Sequence, residues 1–96
     1  MIKVYIEKTR KDAKIPVYAN SFDAGADVCA CEDAVLDINS TRVIPTGLKV
    51  AIPEGYEIQI RPRSGLSLNT RLRVANSPGT IDAGYRDEIG IIMHNT

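Results

Sequence analysis

Residues 41–61, TRVIPTGLKVAIPEGYEIQIR, decide the fold class of this chain. Three short runs rich in Val, Ile and Thr follow one another here, separated by Pro45-Thr46-Gly47 and Pro53-Glu54-Gly55. Short runs between proline and glycine breakers are typical of β-strands joined by tight turns. The last run, residues 56–61, alternates apolar and polar residues, which predicts a strand with one wet and one dry face.

The same pattern extends over most of the 96 residues. The predicted strands are 3–7, 27–31, 34–38, 41–44, 47–52, 56–61, 73–75 and 88–95. One short helix is predicted at residues 65–69, with Ser64 as its N-cap. This pattern predicts an all-β barrel or jelly roll of mostly antiparallel strands with at most one short helix. We expect a single domain, residues 1–96, whose open sheet edges are covered by closure or by subunit pairing.

Composition and charge exclude several classes of function. Twelve basic and twelve acidic residues give a formal net charge of zero, which argues against nucleic-acid binding because that requires a basic face. Residues 1–6 alternate in polarity, and no apolar run approaches the roughly 20 residues of a membrane helix. We therefore expect a soluble, cytoplasmic protein with no nucleic-acid or membrane partner. Cys29 and Cys31 should be buried or half-buried reduced thiols on one face of a strand.

The tripeptide Arg63-Ser64-Gly65 carries groups that suit a phosphate. Arg63 offers a cationic guanidinium, Ser64 offers a hydroxyl, and Gly65 lets a backbone N–H approach an anion closely. The same residues also fit a turn in which Ser64 caps a helix and Arg63 lies on the surface. Taken alone, the tripeptide favours the turn.

The segment Asp82-Ala83-Gly84 predicts a tight turn between two strands. Asp82 could bond to the N–H groups of that turn, or it could be a general base that aligns and deprotonates a water for attack on phosphorus. A free Asp is a weak base near neutral pH, so its orientation would have to matter most. Tyr85 could pack across two strands, or its ring could lie under a sugar and leave no space for an added hydroxyl.

Two further side chains carry groups that suit a nucleotide. Asn76 has an amide with a donor and an acceptor, which can match the edge of uracil, although Asn is equally common in turns. Asp27 and Asp23 flank Ala24-Gly25-Ala26. Asp27 could hold Mg²⁺ through a metal-bound water, or it could be a buried acid that braces neighbouring strands. The two roles of Asp27 are compatible.

Three segments together resemble the first three motifs of the trimeric dUTPases: AGADV at 24–28, RSGL at 63–66 and GTIDAGYR at 79–86. The segment RVIPTGL at 42–48 is also typical of that family. Order and spacing agree as well as residue type. The resemblance implies a jelly roll that assembles as a homotrimer, with active sites at the subunit interfaces. It also implies an enzyme that hydrolyses dUTP to dUMP and pyrophosphate with Mg²⁺ as its cofactor.

The resemblance further implies roles for individual residues. Asp82 matches the catalytic aspartate that positions water for attack on the α-phosphorus and is also expected to bind substrate. Tyr85 matches the substrate-binding ring that excludes ribose. Asp27 matches the acid of the first motif near the metal. The remaining matches bind substrate: Asn76, Gly79, Thr80 and Ile81 at the uracil, Arg63, Ser64 and Gly65 at the phosphates, and Gly90 at a further contact with the nucleotide.

The sequence departs from the family pattern at two places. Asp87 stands where the family usually has Gly after Tyr85-Arg86. The fourth motif, and the glycine-rich tail with its Arg that forms the fifth, do not occur in these 96 residues. A site without that lid controls water and product poorly, so we expect catalysis to be weakened more than nucleotide binding.

Two other functions fit parts of the sequence. A dCTP deaminase shares this fold and an Ile-Asp-x-Gly-aromatic stretch, but its catalytic Glu aligns with Ile92, which cannot carry a proton. A non-catalytic module that binds a nucleotide or a protein partner fits the absence of the tail. The intact Asp82 and Tyr85 favour the enzyme, and a native trimer would favour it further because the site needs several subunits.

Overall fold

The computed structural model describes residues 2–96, and Met1 of the predicted domain lies outside this range. The elements are β1 (Tyr5–Lys8), β2 (Thr41–Pro45), β3 (Leu48–Ala51), β4 (Ile58–Ile60), α1 (Ser64–Asn69), β5 (Leu72–Val74), β6 (Gly79–Ile81) and β7 (Gly90–Asn95). The prediction of short strands with one short helix is confirmed.

The strands form three small antiparallel sheets. β1 pairs with β3, β4 pairs with β6, and β7 lies between β2 and β5. Gly90 opens β7 opposite Pro45, and a Cβ on Gly90 would collide with Cγ1 of Val43. Packing against β2 therefore explains the glycine at this position without any ligand.

The core lies where the three sheets meet. Val50, Ile52, Ile81 and Ile89 form one buried cluster, and the half-buried side chains of Ile58, Ile60 and Ile91 pack against it. Burial of side chains of this size stabilises the fold by roughly 1.5–3 kcal/mol each. In β4 the two isoleucines are half-buried while Gln59 is exposed, so the predicted alternation is confirmed over 58–60. Tyr56, at the start of the predicted strand, is 51% exposed and lies outside β4.

A second buried cluster joins the N-terminal part of the chain to β3. Ala13 and Cys31 pack against Leu48, which is only 1% exposed. Thr46 is fully buried just before β3, and its hydroxyl donates a hydrogen bond to the carbonyl of Ile89 at 2.7 Å. This bond satisfies a polar group that would otherwise be costly to bury.

The predicted strands at 27–31 and 34–38 are wrong. These residues join no sheet among the described strands, and the Cys31 N–H donates a single bond to the Pro45 carbonyl at 3.0 Å. Cys31 is buried but Cys29 is exposed, so the two thiols do not share a buried face as predicted. Residues with high strand propensity form a sheet only where a partner strand lies within hydrogen-bonding distance, and these segments have none among the described strands.

Two further details differ from the sequence-based prediction. β6 was not predicted, because Pro78-Gly79 indicates a chain break rather than the start of a strand. The helix begins at Ser64, and Arg63 is its N-cap with extended backbone and no capping bond from its side chain. Ser64 is therefore the first helical residue and not the cap. Among residues 2–96, no helix has both the length and the apolar character needed to cross a bilayer.

Candidate active site

Asp82 follows the last residue of β6 and opens a tight turn. Ile81 is 8% exposed and belongs to the main core cluster, while Asp82 is exposed to solvent. The Tyr85 N–H donates to the Asp82 carbonyl at 3.0 Å, which closes the predicted turn. The two strands that flank this turn do not pair with each other, since β6 joins β4 and β7 joins β2 and β5. The Asp82 carboxylate thus follows the buried end of β6 but is itself exposed to solvent.

Tyr85 lies in the loop between β6 and β7, so it does not pack across a strand pair. Its side chain is 40% exposed. Its hydroxyl donates to the Glu88 carbonyl at 2.8 Å. The ring is therefore tied at both ends, by the turn bond of its backbone and by the bond of its hydroxyl, while much of its surface remains open.

β6 offers polar backbone groups beside Asn76. Among the described strands β6 pairs with β4 alone, so one edge of β6 has N–H and C=O groups that no strand covers. Asn76 is exposed, and its Nδ2 lies 3.3 Å from the point that a Cβ on Gly79 would occupy. A side chain at Gly79 would therefore crowd the amide of Asn76. An amide and a free strand edge together can match the donors and acceptors of a flat heterocycle.

Arg63, Ser64 and Gly65 lie at the start of α1, and all three are exposed. The first N–H groups of a helix have no partner inside the helix. A Cβ on Gly65 would meet no atom within 4 Å, so packing within the chain does not require glycine there. Close approach of another molecule to the backbone remains a reason for this glycine.

Arg63 pairs with Asp27, which the sequence did not predict. Arg63 Nε lies 3.6 Å from Asp27 Oδ1, and the two side chains are 74% and 58% exposed. Asp27 is consequently not a buried acid bracing two strands, as one alternative held. Asp23 accepts bonds from the backbone and side chain of Asn20 at 2.9 and 3.3 Å, which is a turn-stabilising role. Within residues 2–96, no three His, Cys, Asp or Glu side chains group closely enough to hold a metal by themselves.

The register of β4 on β6 puts the predicted site residues at different ends of this strand pair. Ile60, which ends β4, pairs with Gly79, which begins β6. Asp82 leaves β6 at the opposite end, at the level of Glu57, whereas Arg63 continues beyond Ile60. Seven residues, 57–63, span at most roughly 20 Å even when fully extended. In one copy Asp82 and Tyr85 follow the Ile81 end of β6, Asn76 lies beside Gly79 at the other end, and Arg63 contacts Asp27.

Comparison with protein families and curated proteins gives a consistent result. A family model described as dUTPase matches residues 11–96. A deoxyuridine 5'-triphosphate nucleotidohydrolase of Alkaliphilus metalliredigens is 47% identical over 95 residues, which cover 99% of this chain and 66% of that protein. The protein of the same name from Clostridium tetani is 50% identical over 90 residues, 94% of this chain and 62% of its own. This chain thus spans less than two thirds of either relative.

Solved structures show the same likeness in three dimensions. The dUTPase of Staphylococcus bacteriophage 80alpha superposes with a TM-score of 0.91 at 36% identity, over 97% of this chain and 59% of that one. The D95N mutant dUTPase from phage phi11 of S. aureus, whose structure details a structural Mg(II) ion, gives a TM-score of 0.91 at 35% identity, over 97% and 60%.

Proposed function

Because this chain belongs to the dUTPase family, with the jelly-roll fold of that family, we propose that it hydrolyses dUTP to dUMP and pyrophosphate. The observation that carries the proposal is the position of Asp82, which is exposed at the end of the core strand β6 and joined by a closed turn to the ring of Tyr85. A carboxylate fixed at a strand end near an aromatic ring is well placed to align a water for attack on a phosphate next to a sugar. A nucleotide substrate is consistent with a cytoplasmic enzyme.

The nucleoside would be bound by β6 and its turn. Asn76 and the free edge of Gly79, Thr80 and Ile81 offer donors and acceptors for the uracil. The ring of Tyr85 would lie against the deoxyribose, where its tethered position leaves no room for a 2′-hydroxyl. Gly90 could be a further contact, although its packing on Val43 is sufficient to explain it.

The triphosphate would be bound by the phosphate segment. Arg63 supplies a planar cationic fork, and Ser64 and Gly65 supply a hydroxyl and exposed backbone N–H groups. Asp27 lies beside Arg63, so it can orient the guanidinium and also ligate a Mg²⁺ ion through water. A single carboxylate fits Mg²⁺, which usually keeps several waters and takes its other ligands from substrate phosphates. Bound Mg²⁺ would neutralise phosphate charge.

The chemical step would use Asp82 as the base. The carboxylate aligns a water and accepts its proton while the water oxygen bonds to the α-phosphorus. The bond between the α-phosphorus and its bridging oxygen breaks, and pyrophosphate leaves with that oxygen. An exposed Asp is a weak base near neutral pH, so alignment of the water contributes more than proton affinity.

A homotrimer would complete this site. Asp82 and Arg63 leave the β4–β6 pair at opposite ends, which favours a site that draws the two residues from different copies. A ring of three copies would place the phosphate segment of one copy beside the Asp82 turn of its neighbour. The single domain 1–96 would then be one protomer of the assembly. Ile92 is a half-buried residue of β7 opposite Val43, which gives no support to a deaminase.

Pyrophosphate release from dUTP tests this function. We expect turnover of dUTP with Mg²⁺, little or no turnover of UTP or dCTP, and loss of turnover when the metal is chelated. The native mass should equal three chains. A monomer that binds dUTP without cleaving it would instead establish a non-catalytic nucleotide-binding module.

A further inference from the structure

Glu88 is the centre of a polar cluster that joins the Tyr85 loop to the N-terminal part of the chain. Its Oε1 accepts a hydrogen bond from the hydroxyl of Thr9 at 2.6 Å and another from Nε of Arg10 at 3.2 Å. Nη1 of Arg10 also donates to Glu32 at 2.8 Å. The Thr9 hydrogen bond, together with the positive charge of Arg10, lowers the pKa of Glu88 below its usual value. The carboxylate is therefore ionised and doubly held near neutral pH.

Backbone hydrogen bonds hold the residues on both sides of this cluster. The Thr9 N–H donates to the Gly47 carbonyl at 2.7 Å, and Gly47 is buried. On the other side Ile89 follows Glu88, is only 6% exposed, and donates its N–H to the Leu48 carbonyl at 2.8 Å. Glu88 is thus fixed through its side chain and through its neighbour in the chain.

The backbone carbonyl of Glu88 is the acceptor that holds the hydroxyl of Tyr85 at 2.8 Å. A movement of the Glu88 backbone therefore displaces the acceptor that holds the Tyr85 hydroxyl. We propose that Glu88, clamped by Thr9 and Arg10, is a positioning residue that holds the Tyr85 ring in place. Through the ring it contributes to the preference for deoxyribose over ribose, a second part that rests on the proposed function.

Exclusion of a 2′-hydroxyl requires that the Tyr85 ring cannot move out of its way. A ring fixed only by its backbone can tilt away from an added hydroxyl, whereas a ring tied at its hydroxyl as well must break a bond to do so. A looser clamp should therefore admit a ribonucleotide more readily and change the binding of the deoxyribonucleotide less. Glu88 and Arg10 line an open groove with Tyr85 and Gly90, and Thr9 is exposed, so removal of the clamp should leave the fold intact.

The ring itself can be followed without any nucleotide. The probe is NMR of protein labelled with ¹³C-tyrosine, in which the Tyr85 signal is identified by its loss in Tyr85→Phe. We expect Glu88→Ala and Thr9→Val each to shift this signal, because each removes the Thr9–Glu88 hydrogen bond that holds the residue whose carbonyl accepts from the Tyr85 hydroxyl. Glu54→Ala, which removes an exposed acid from the turn after β3 and touches none of the clamp's hydrogen bonds, is the matched control and should change nothing. An unchanged Tyr85 signal in both clamp variants would overturn the proposal.

Selectivity is measured by the affinities for dUDP and UDP. The two clamp variants should lower the preference for dUDP by roughly three- to tenfold, mainly by strengthening UDP binding, with no change in Glu54→Ala. A general loss of structure would weaken both nucleotides equally and leave their ratio unchanged. If the Tyr85 signal shifts but the ratio of dUDP to UDP affinity does not change, the proposed contribution of Glu88 to sugar selectivity is overturned. If the parent chain binds neither nucleotide, the proposed function fails with that part, and the ring measurement alone still decides whether Glu88 positions Tyr85.

Discussion

Replacing Asp82 with Asn should lower the rate of pyrophosphate release from dUTP by about 10²–10⁴-fold, the usual contribution of a positioned general base. The amide keeps the size and the hydrogen-bonding reach of the carboxylate but cannot take a proton from water. Affinity for dUDP should change much less than the rate, because the amide can still hydrogen-bond to the nucleotide. Steady-state kinetics and dUDP titration of the same preparations measure both effects.

Asp87→Asn provides the matched control for that experiment. Asp87 is an exposed carboxylate in the same loop, so the two substitutions make an equal change in charge five residues apart. Asp87→Asn should retain the parental rate. Equal losses for both variants would mean that the rate depends on the charge of the loop, and Asp82 would lose its assigned role.

Gly47→Ala should cost about 2–4 kcal/mol of folding free energy, which combines the strain of a left-handed backbone with overpacking. The φ angle of Gly47 is +70°, and a Cβ there would lie 2.8 Å from Cβ of Ala13 and 3.2 Å from Cβ of Arg10. Ala13 is 3% exposed, so it cannot move away without disturbing the second core cluster. Urea denaturation of the parent and the variant measures the loss.

Gly55→Ala separates the two causes of that loss. Gly55 has a φ angle of +89° but no atom within 4 Å of a Cβ, so only the backbone strain of about 1–2 kcal/mol should remain. The difference between the two variants is the contribution of the contacts with Ala13 and Arg10. If Gly55→Ala destabilised the protein as much as Gly47→Ala, the close packing around Gly47 would have no energetic weight.

The sequence predicted those elements whose signal is local. The alternation predicted over residues 56–61 is confirmed at Ile58 and Ile60, which are half-buried, but not at Tyr56, which is exposed. The breakers around Pro45 and Pro53 lie close to the observed ends of β2 and β3. The prediction of strands at 27–31 and 34–38 was wrong, because strand-forming residues do not indicate whether a partner strand is present. It missed β6 because Pro78 directly precedes the strand and Gly79 is its first residue, although a sheet tolerates both at a strand end.

The candidate site was predictable within each segment but not between segments. Asp82 and Tyr85 could be related because a tight turn links them. The contact of Arg63 with Asp27 joins residues 36 positions apart, and that of Glu88 with Thr9 joins residues 79 positions apart. Neither contact has a local signature. The placement of Asp82 and Arg63 at opposite ends of the β4–β6 pair follows from the register of the two strands, which only the folded chain defines.

Mixed assembly tests the central claim, that Asp82 of one copy and Arg63 of another complete one dUTP-cleaving site. Asp82→Asn and Arg63→Ala should each be inactive alone. Co-expressed in equal amounts, they should recover about a quarter of the parental rate of pyrophosphate release, because random mixing gives about one site in four both an intact Asp82 and an intact Arg63. Native mass should confirm that the mixture consists of trimers. Mixed trimers with no recovered activity would contradict the account, because the two residues would then have to act within one chain.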